Sequence, residues 1–245
     1  MNRAVGLSPV QGTAGEISPT PGWKRVLDVL FVCALAPIAL PLMAVIAFAI
    51  RSSSPGPVFF RQERVGLRGR RFTCLKFRSM VAAADTRDHQ KHLQHLVRSG
   101  AALTKLDSTG DTRLIRCGSL MRATGLDELP QLFNILRGDM SMVGPRPCVP
   151  YEYDLYDETQ KQRFNVVPGL TGLWQVNGKN KTTFAQMIQM DLHYASHRSL
   201  WLDLRIILRT FPALIQQTLD WRKQRSQTHR ANTTLTQPKQ IADSI

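Results

Sequence analysis

Apolar residues along this chain gather into one long run, a few short alternations and two helical stripes, and each pattern predicts a different element. Val26 to Ile50 is a run of 25 residues holding a single charge, Asp28. As a helix it would measure roughly 37 Å, comparable with the hydrocarbon core of a bilayer. Pro37 and Pro41 lie in its middle. Each removes a backbone donor and crowds the carbonyl four residues earlier, so the pattern predicts a bend near the centre. Lys24 and Arg25 stand before the run and Arg51 ends it. Basic residues favour the cytoplasmic side, and a hairpin entering and leaving through one leaflet satisfies both ends. A kinked spanning helix is the alternative, because neighbouring groups can satisfy the carbonyls a proline frees. A cleaved signal peptide fits less well, since its apolar core is only about 7–15 residues long.

After this segment, Ser52 to Pro57 reads as a turn, and Val58-Phe59-Phe60 and Arg71 to Leu75 as two short strands joined around Gly66 and Gly69. Leu129, Leu132, Phe133 and Leu136 recur at helical spacing, with Gly138 as a stop. Pro168 to Gly178 reads as a Gly-rich turn, a short strand and a second turn. From Ser199 to Leu219, Leu200, Trp201, Leu204, Ile207, Leu208 and Phe211 form a broad apolar stripe interrupted by Arg205 and Arg209. That pattern suits helices lying flat at the headgroup level, or a core-facing helix, with Pro212 dividing it in two. Residues 1–22, rich in Gly, Pro, Ser and Thr, read as a flexible arm, and residues 224–245 as a disordered tail. The organisation is therefore an arm (1–22), a membrane segment (23–51), one α/β domain (52–223) and a tail (224–245).

Charge narrows the partners. Thirty-two Lys and Arg against eighteen Asp and Glu leave +14, which calls for anions: nucleic acid, phospholipid headgroups or a phosphorylated substrate. Seven Lys or Arg and one Glu lie between Arg61 and Arg78, directly after the membrane segment, where headgroup attraction alone accounts for most of them. A nucleic-acid binder would explain the charge but neither the proline-broken run nor an acidic pair further on. The four cysteines, Cys33, Cys74, Cys117 and Cys148, show no CxxC spacing, against a zinc site or a disulfide framework. His89, His92 and His95 drift around a helix, and His193 and His197 lack the Glu of a zinc motif, so none is expected to hold a metal.

The chemistry-bearing residues concentrate between Arg113 and Pro147. Asp127 and Glu128 sit at or just before a predicted helix start, where Asp would cap the helix and Glu would favour its first turn. The same placement suits a carboxylate that meets a phosphoryl group, and two adjacent carboxylates supply hard oxygens for a hydrated magnesium ion. Arg146, held between Pro145 and Pro147, is a stiffly presented fork suited to bidentate phosphate binding, or simply a solvated turn residue. Backbone donors of Pro168 to Gly172 either face an anion or only turn the chain.

Taken together, the proline-broken segment, Gly56-Pro57-Val58-Phe59-Phe60-Arg61-Gln62, Lys76-Phe77-Arg78-Ser79-Met80, Leu126-Asp127-Glu128-Leu129-Pro130-Gln131, Val143-Gly144-Pro145-Arg146-Pro147 and Pro168-Gly169-Leu170-Thr171-Gly172 make the chain resemble a known family. It is similar, from about Trp23 to Gln217, to the bacterial sugar transferases, monotopic polyprenyl-phosphate phosphoglycosyl transferases. The resemblance implies a compact cytosolic α/β catalytic domain, a re-entrant membrane helix hairpin broken at Pro37 and Pro41, and interfacial amphipathic helices. It implies transfer of a sugar 1-phosphate, glucose or galactose 1-phosphate, from a UDP-sugar to undecaprenyl phosphate with release of UMP, as the first membrane step of exopolysaccharide or other glycoconjugate assembly.

In that scheme Asp127 is the nucleophile, Glu128 completes the dyad, both hold Mg2+, and Arg146, Lys76 and Arg78 bind phosphate. The implied setting is the inner membrane of a bacterium with the catalytic domain facing the cytoplasm, in contact with phospholipid and without nucleic acid, and a homodimer is compatible with it. A non-catalytic basic membrane scaffold, in which Asp127 only caps a helix, is the rival reading. Four positions depart from the family's usual pattern: Gly125 for Ser, Val167 for a basic residue, Lys179 for Arg and Ser79 for Thr.

Overall fold

A computed structural model describes residues 20–81, 101–102, 113–178 and 182–235. The expected histidine triplet and Lys179 lie outside them, as do residues 1–19 and 236–245.

The apolar run folds as one helix, α1 (Gly22–Ser53), which continues through Pro37 and Pro41. Among the described residues it is the one helix long and apolar enough to cross a membrane. It is not uniformly exposed. Val32 and Ala39 join a core with Ile135, Val143 and Ile206, whereas Met43, Ile46 and Ile50 join another with Phe77, Ile115 and Met121. Its other faces leave Leu30, Ile38, Val45 and Phe48 uncovered.

The first end of α1 is fastened by charge. Lys24, expected as a flanking surface cation, is buried instead: its Nζ donates to Asp203 (2.6 Å), the Val143 carbonyl (2.8 Å) and the Tyr194 hydroxyl (3.0 Å). Asp28 accepts from the Ser141 hydroxyl and the Met142 N–H. Arg25 donates to the carbonyls of Ile135 and Leu136, in the last turn of a helix, where a cation is favourable.

Strands β1 (Phe59–Val65) and β2 (Arg71–Phe77) form the predicted antiparallel hairpin, with Arg64 opposite Phe72 and Phe60 opposite Lys76. Helix α2 (Gly118–Thr124) follows, then a 3-10 turn (Leu126–Glu128) and α3 (Gln131–Arg137), which stops at Gly138 as expected. Strands β3 (Ser141–Val143) and β4 (Gly169–Thr171) pair in parallel. Between them, single helical turns at Pro150–Tyr153 and Glu158–Lys161 enclose a third core of Val65, Tyr156, Phe164 and Trp174.

The sequence reading of Pro168 to Gly178 needs correction, since the strand falls on Gly169–Thr171 and Leu173–Val176 is a helical turn. The reason is close backbone approach. A Cβ on Gly169 would lie 2.0 Å from the Gly144 nitrogen, so β4 can form only where glycine lets it meet β3.

Two long helices close the domain, α4 (Phe184–His197) and α5 (Leu200–Leu235). Contrary to expectation, α5 runs unbroken through Pro212 and continues past residue 224. Pro212 is on an exposed face, and from Trp221 onward Lys, Arg, Gln and Ala support a helix with no Gly or Pro before Pro238. Asp203 and Ile206 are buried, while Trp201, Leu208, Phe211 and Ile215 are exposed, giving α5 an apolar outer face.

Candidate active site

Asp127 is placed by the end of α2. Gly125 takes φ +76° there, a left-handed conformation that closes the helix and that glycine adopts without strain. This gives a backbone reason for one departure from the family pattern. Gln217 of α5 donates to the carbonyls of Arg122 and Ala123, and Trp221 to the Ser119 hydroxyl, so α5 holds the end of α2 in place. The 3-10 turn then presents Asp127, 7% exposed, and Glu128. Asp127 does not cap α3: the residue before that helix is Pro130, and no side chain caps it.

Glu128 faces a cleft between the hairpin and the β3–β4 pair, lined by Arg64, Cys74, Lys76, Gln131, Arg146 and Gly169. Its Oε1 lies 2.9 Å from Lys76 Nζ and 3.6 Å from Arg146 NH1. Asn134 ties α3 to the hairpin: its Nδ2 donates to the Thr73 carbonyl (2.7 Å) and its Oδ1 accepts from the Leu75 N–H (3.0 Å), so α3 is bonded to the strand that carries Lys76.

Three cations thus border one cleft carboxylate. Arg64 donates to Gln62 and to the Pro147 carbonyl, and burial, with repulsion from Arg146, holds its guanidinium below its usual basicity. Burial likewise pushes the Cys74 thiol up. An excess of fixed positive charge in a part-exposed cleft is suited to a multiply charged phosphate ester.

Of the residues singled out in the sequence, Glu128, Lys76 and Arg146 line one cleft, Asp127 adjoins Glu128 in the 3-10 turn at its edge, and Arg78 lies elsewhere. Arg78 is buried at the exit of α1, where NH1 donates to the Pro55 carbonyl (2.6 Å) and NH2 to that of Ser54 (2.8 Å). Its guanidinium fastens the turn instead of entering the cleft. Arg64 and Gln131 were not singled out. Strand alternation would have found Arg64, because the turn centred between Gly66 and Gly69 sets it on the same face as Lys76.

The Gly-rich segments also resolve. The Gly144 N–H donates to the Thr171 carbonyl and the Gly169 N–H to that of Pro145, so these donors join strands.

A magnesium site is compatible with the donor set. No group of three or more His, Cys, Asp or Glu gathers among the described residues. Magnesium, however, is commonly held by one or two carboxylates with substrate phosphate and water completing the shell, and adjacent Asp127 and Glu128 supply those two.

Residues 20–217 match the profile of a family described as bacterial sugar transferase. The chain is 41% identical over 207 residues to the exopolysaccharide production protein ExoY of Sinorhizobium fredii, covering 82% of this chain and 89% of that protein. It is 42% identical over 200 residues to a UDP-glucose:undecaprenyl-phosphate glucose-1-phosphate transferase of Caulobacter vibrioides, covering 78% and 69% respectively. With the undecaprenyl-phosphate galactose phosphotransferase of Salmonella typhimurium the identity is 35% over 199 residues, 79% of this chain but 40% of that longer protein.

Proposed function

This chain belongs to the bacterial sugar transferase family and is a phosphoglycosyl transferase, and on that footing we propose that it moves a hexose 1-phosphate from a UDP-hexose to undecaprenyl phosphate through a covalent phosphosugar on Asp127. The observation that carries the reading is the convergence of Lys76 and Arg146 on Glu128 beside a buried aspartate that caps no helix. Relatives named for glucose and for galactose transfer support either hexose as the donor sugar.

A carboxylate oxygen of Asp127 attacks the phosphorus that bears the sugar. The bond from that phosphorus to the bridging oxygen breaks, and UMP leaves with the oxygen. A phosphate oxygen of the polyprenyl carrier then attacks the same phosphorus and expels the Asp127 carboxylate, forming the diphosphate-linked product. Both steps bring an anion to an anionic phosphoryl group, so the barrier is largely electrostatic. Lys76 and Arg146 bind the donor's phosphate oxygens and lower that repulsion, while Glu128 neutralises and holds the two cations until substrate takes them. Mg2+ held by Asp127 and Glu128 would supply further charge neutralisation and polarise a phosphoryl oxygen.

The carrier is a lipid, so its phosphate has to be met at membrane depth. The exposed apolar faces of α1 and α5 suit an interfacial position over phospholipid. A re-entrant path for α1 is supported by its fastenings. Lys24, Arg25 and Asp28 at one end, and Ile50 with the Ser54 carbonyl at the other, are bonded or packed to the same domain. A spanning helix would carry one end to the opposite side. With both ends on the cytoplasmic face, the active site faces the cytoplasm of the bacterium, where UDP-sugars are made.

UMP release from a panel of UDP-sugars, with undecaprenyl phosphate and magnesium and the protein in nanodiscs, tests the reading. UMP from UDP-glucose or UDP-galactose, lost in Asp127→Asn, is the expected result. UMP formation unchanged by that substitution, or no turnover with either hexose, would overturn it.

A further inference from the structure

Four consecutive carbonyls, from Pro145 to Cys148, each accept a hydrogen bond. Pro145 accepts from the Gly169 N–H (2.9 Å) and Cys148 from the Val65 N–H (2.8 Å), both strand contacts. Pro147 accepts from Arg64 NH1 (3.1 Å). The carbonyl of Arg146 itself accepts from NH2 of Arg163 (3.0 Å), a guanidinium only 1% exposed. That same NH2 lies 2.5 Å from Asp191 Oδ2 on α4, and NH1 donates to the Tyr156 hydroxyl (2.9 Å). Rings of Tyr156 and Phe164 lie beside the cation.

This pair is an odd choice for stability alone. Arg163 Nε and Asp191 Oδ1 are buried without a hydrogen-bond partner, so neither ion is fully compensated. A buried ion pair in that condition is commonly matched or bettered by well-packed apolar side chains. Burial opposes the Arg163 charge most strongly, but Asp191 together with Tyr156, Glu152 and Cys148 outweighs it and leaves the guanidinium more basic than usual. What the pair does beyond itself is bond the backbone of the one residue whose side chain stands between Glu128 and a second arginine. Arg146 is repelled by Arg64 and attracted by Glu128, so its direction depends on a backbone that does not yield.

We propose that the buried Arg163–Asp191 pair positions Arg146, fixing through its carbonyl the orientation in which the Arg146 guanidinium meets the phosphate of the sugar donor. Arg163 and Asp191 touch no substrate and are positioning residues. The inference rests on the phosphate-binding role given to Arg146 above.

A double-mutant cycle on the full chain in nanodiscs, with UDP-glucose and UDP-galactose as probes, tests it. Arg163→Met is expected to lower kcat/KM about 10-fold, mainly by raising the donor KM. In an Arg146→Ala background the same change is expected to cost less than about 2-fold, because its effect passes through a side chain already removed. A merely structural role would give the same loss in both backgrounds, and that result overturns the proposal while leaving Arg146 as a phosphate ligand. An Arg146→Ala variant with unaltered donor KM overturns both. Should Arg163→Met fail to fold, Arg163→Lys, which keeps the charge and loses the planar fork, and Tyr156→Phe, which removes only the hydroxyl, carry the same cycle. Rescue of KM by Lys, or additivity in both milder variants, would equally contradict the proposal.

Discussion

Carboxylates meet cations in two kinds of place in this molecule. Lys24–Asp203 and Arg163–Asp191 are 1% exposed on both sides, whereas Lys76–Glu128 is 15% and 20% exposed, with Arg146 looking on. In the buried pairs one cation answers one carboxylate, and neighbouring carbonyls and tyrosine hydroxyls take further donors, with Arg163 Nε left over. In the cleft the cations outnumber Glu128 and reach water. The same chemistry therefore fastens where it is sealed and one-to-one, and suits an anionic substrate where it is open and in excess. Removing one partner of a sealed pair strands a charge; removing one from the cleft mostly changes what the cleft binds.

The largest separation comes from Asp127. Asp127→Asn is expected to lower turnover at least 10^3-fold while shifting the melting temperature by less than about 2 °C, since Asn keeps the shape of Asp and the side chain does not cap α3. UMP release and a thermal melt on one sample check both halves. Next is Lys24→Met, which leaves Asp203 buried and unpaired and should cost about 3–5 kcal/mol of unfolding free energy. Denaturant unfolding in micelles measures it, and Lys24→Met combined with Asp203→Leu should recover most of the loss.

Lys76→Met should invert that pattern, with less than about 1 kcal/mol in stability and about a 10^2-fold fall in donor kcat/KM. A large stability loss there would erase the distinction between the two regions. The smallest expected effect is an absence of reaction. Burial pushes the Cys148 thiol up to about 12 and also raises Cys74. A raised pKa favours the neutral thiol, so at pH 8 only about one Cys148 in 10^4 is thiolate. Iodoacetamide labelling followed by peptide mass spectrometry should leave both unmodified in the folded protein up to about pH 10.

What could be read from the sequence follows the same division. The β1–β2 hairpin, the stop at Gly138 and the turn bearing Asp127 and Glu128 are local, set by alternation, helical spacing and glycine within a few residues. The convergence of Lys76, Glu128 and Arg146 was legible through family resemblance, because three separate motifs carry them. The sealed pairs were not legible, since Lys24 and Asp203 are 179 positions apart and Arg163 and Asp191 are 28 apart. No periodicity links such positions; only tertiary approach does. Arg78 shows the converse. Its motif invited a phosphate role, but the carbonyls of Ser54 and Pro55 take its NH1 and NH2 groups. Pro212 misled in the same direction, because a helix packed along one face tolerates a proline on the other.

The central claim is that Asp127 carries the sugar phosphate between donor and lipid. The most direct test is to mix the purified protein with UDP-glucose or UDP-galactose and magnesium, omit the polyprenyl phosphate, and measure intact and peptide masses together with UMP. The account predicts one equivalent of UMP and a hexose-phosphate adduct on the peptide containing Asp127, discharged when undecaprenyl phosphate is added. UMP formed only when the lipid is present, with no adduct at Asp127 on any time scale, would contradict it.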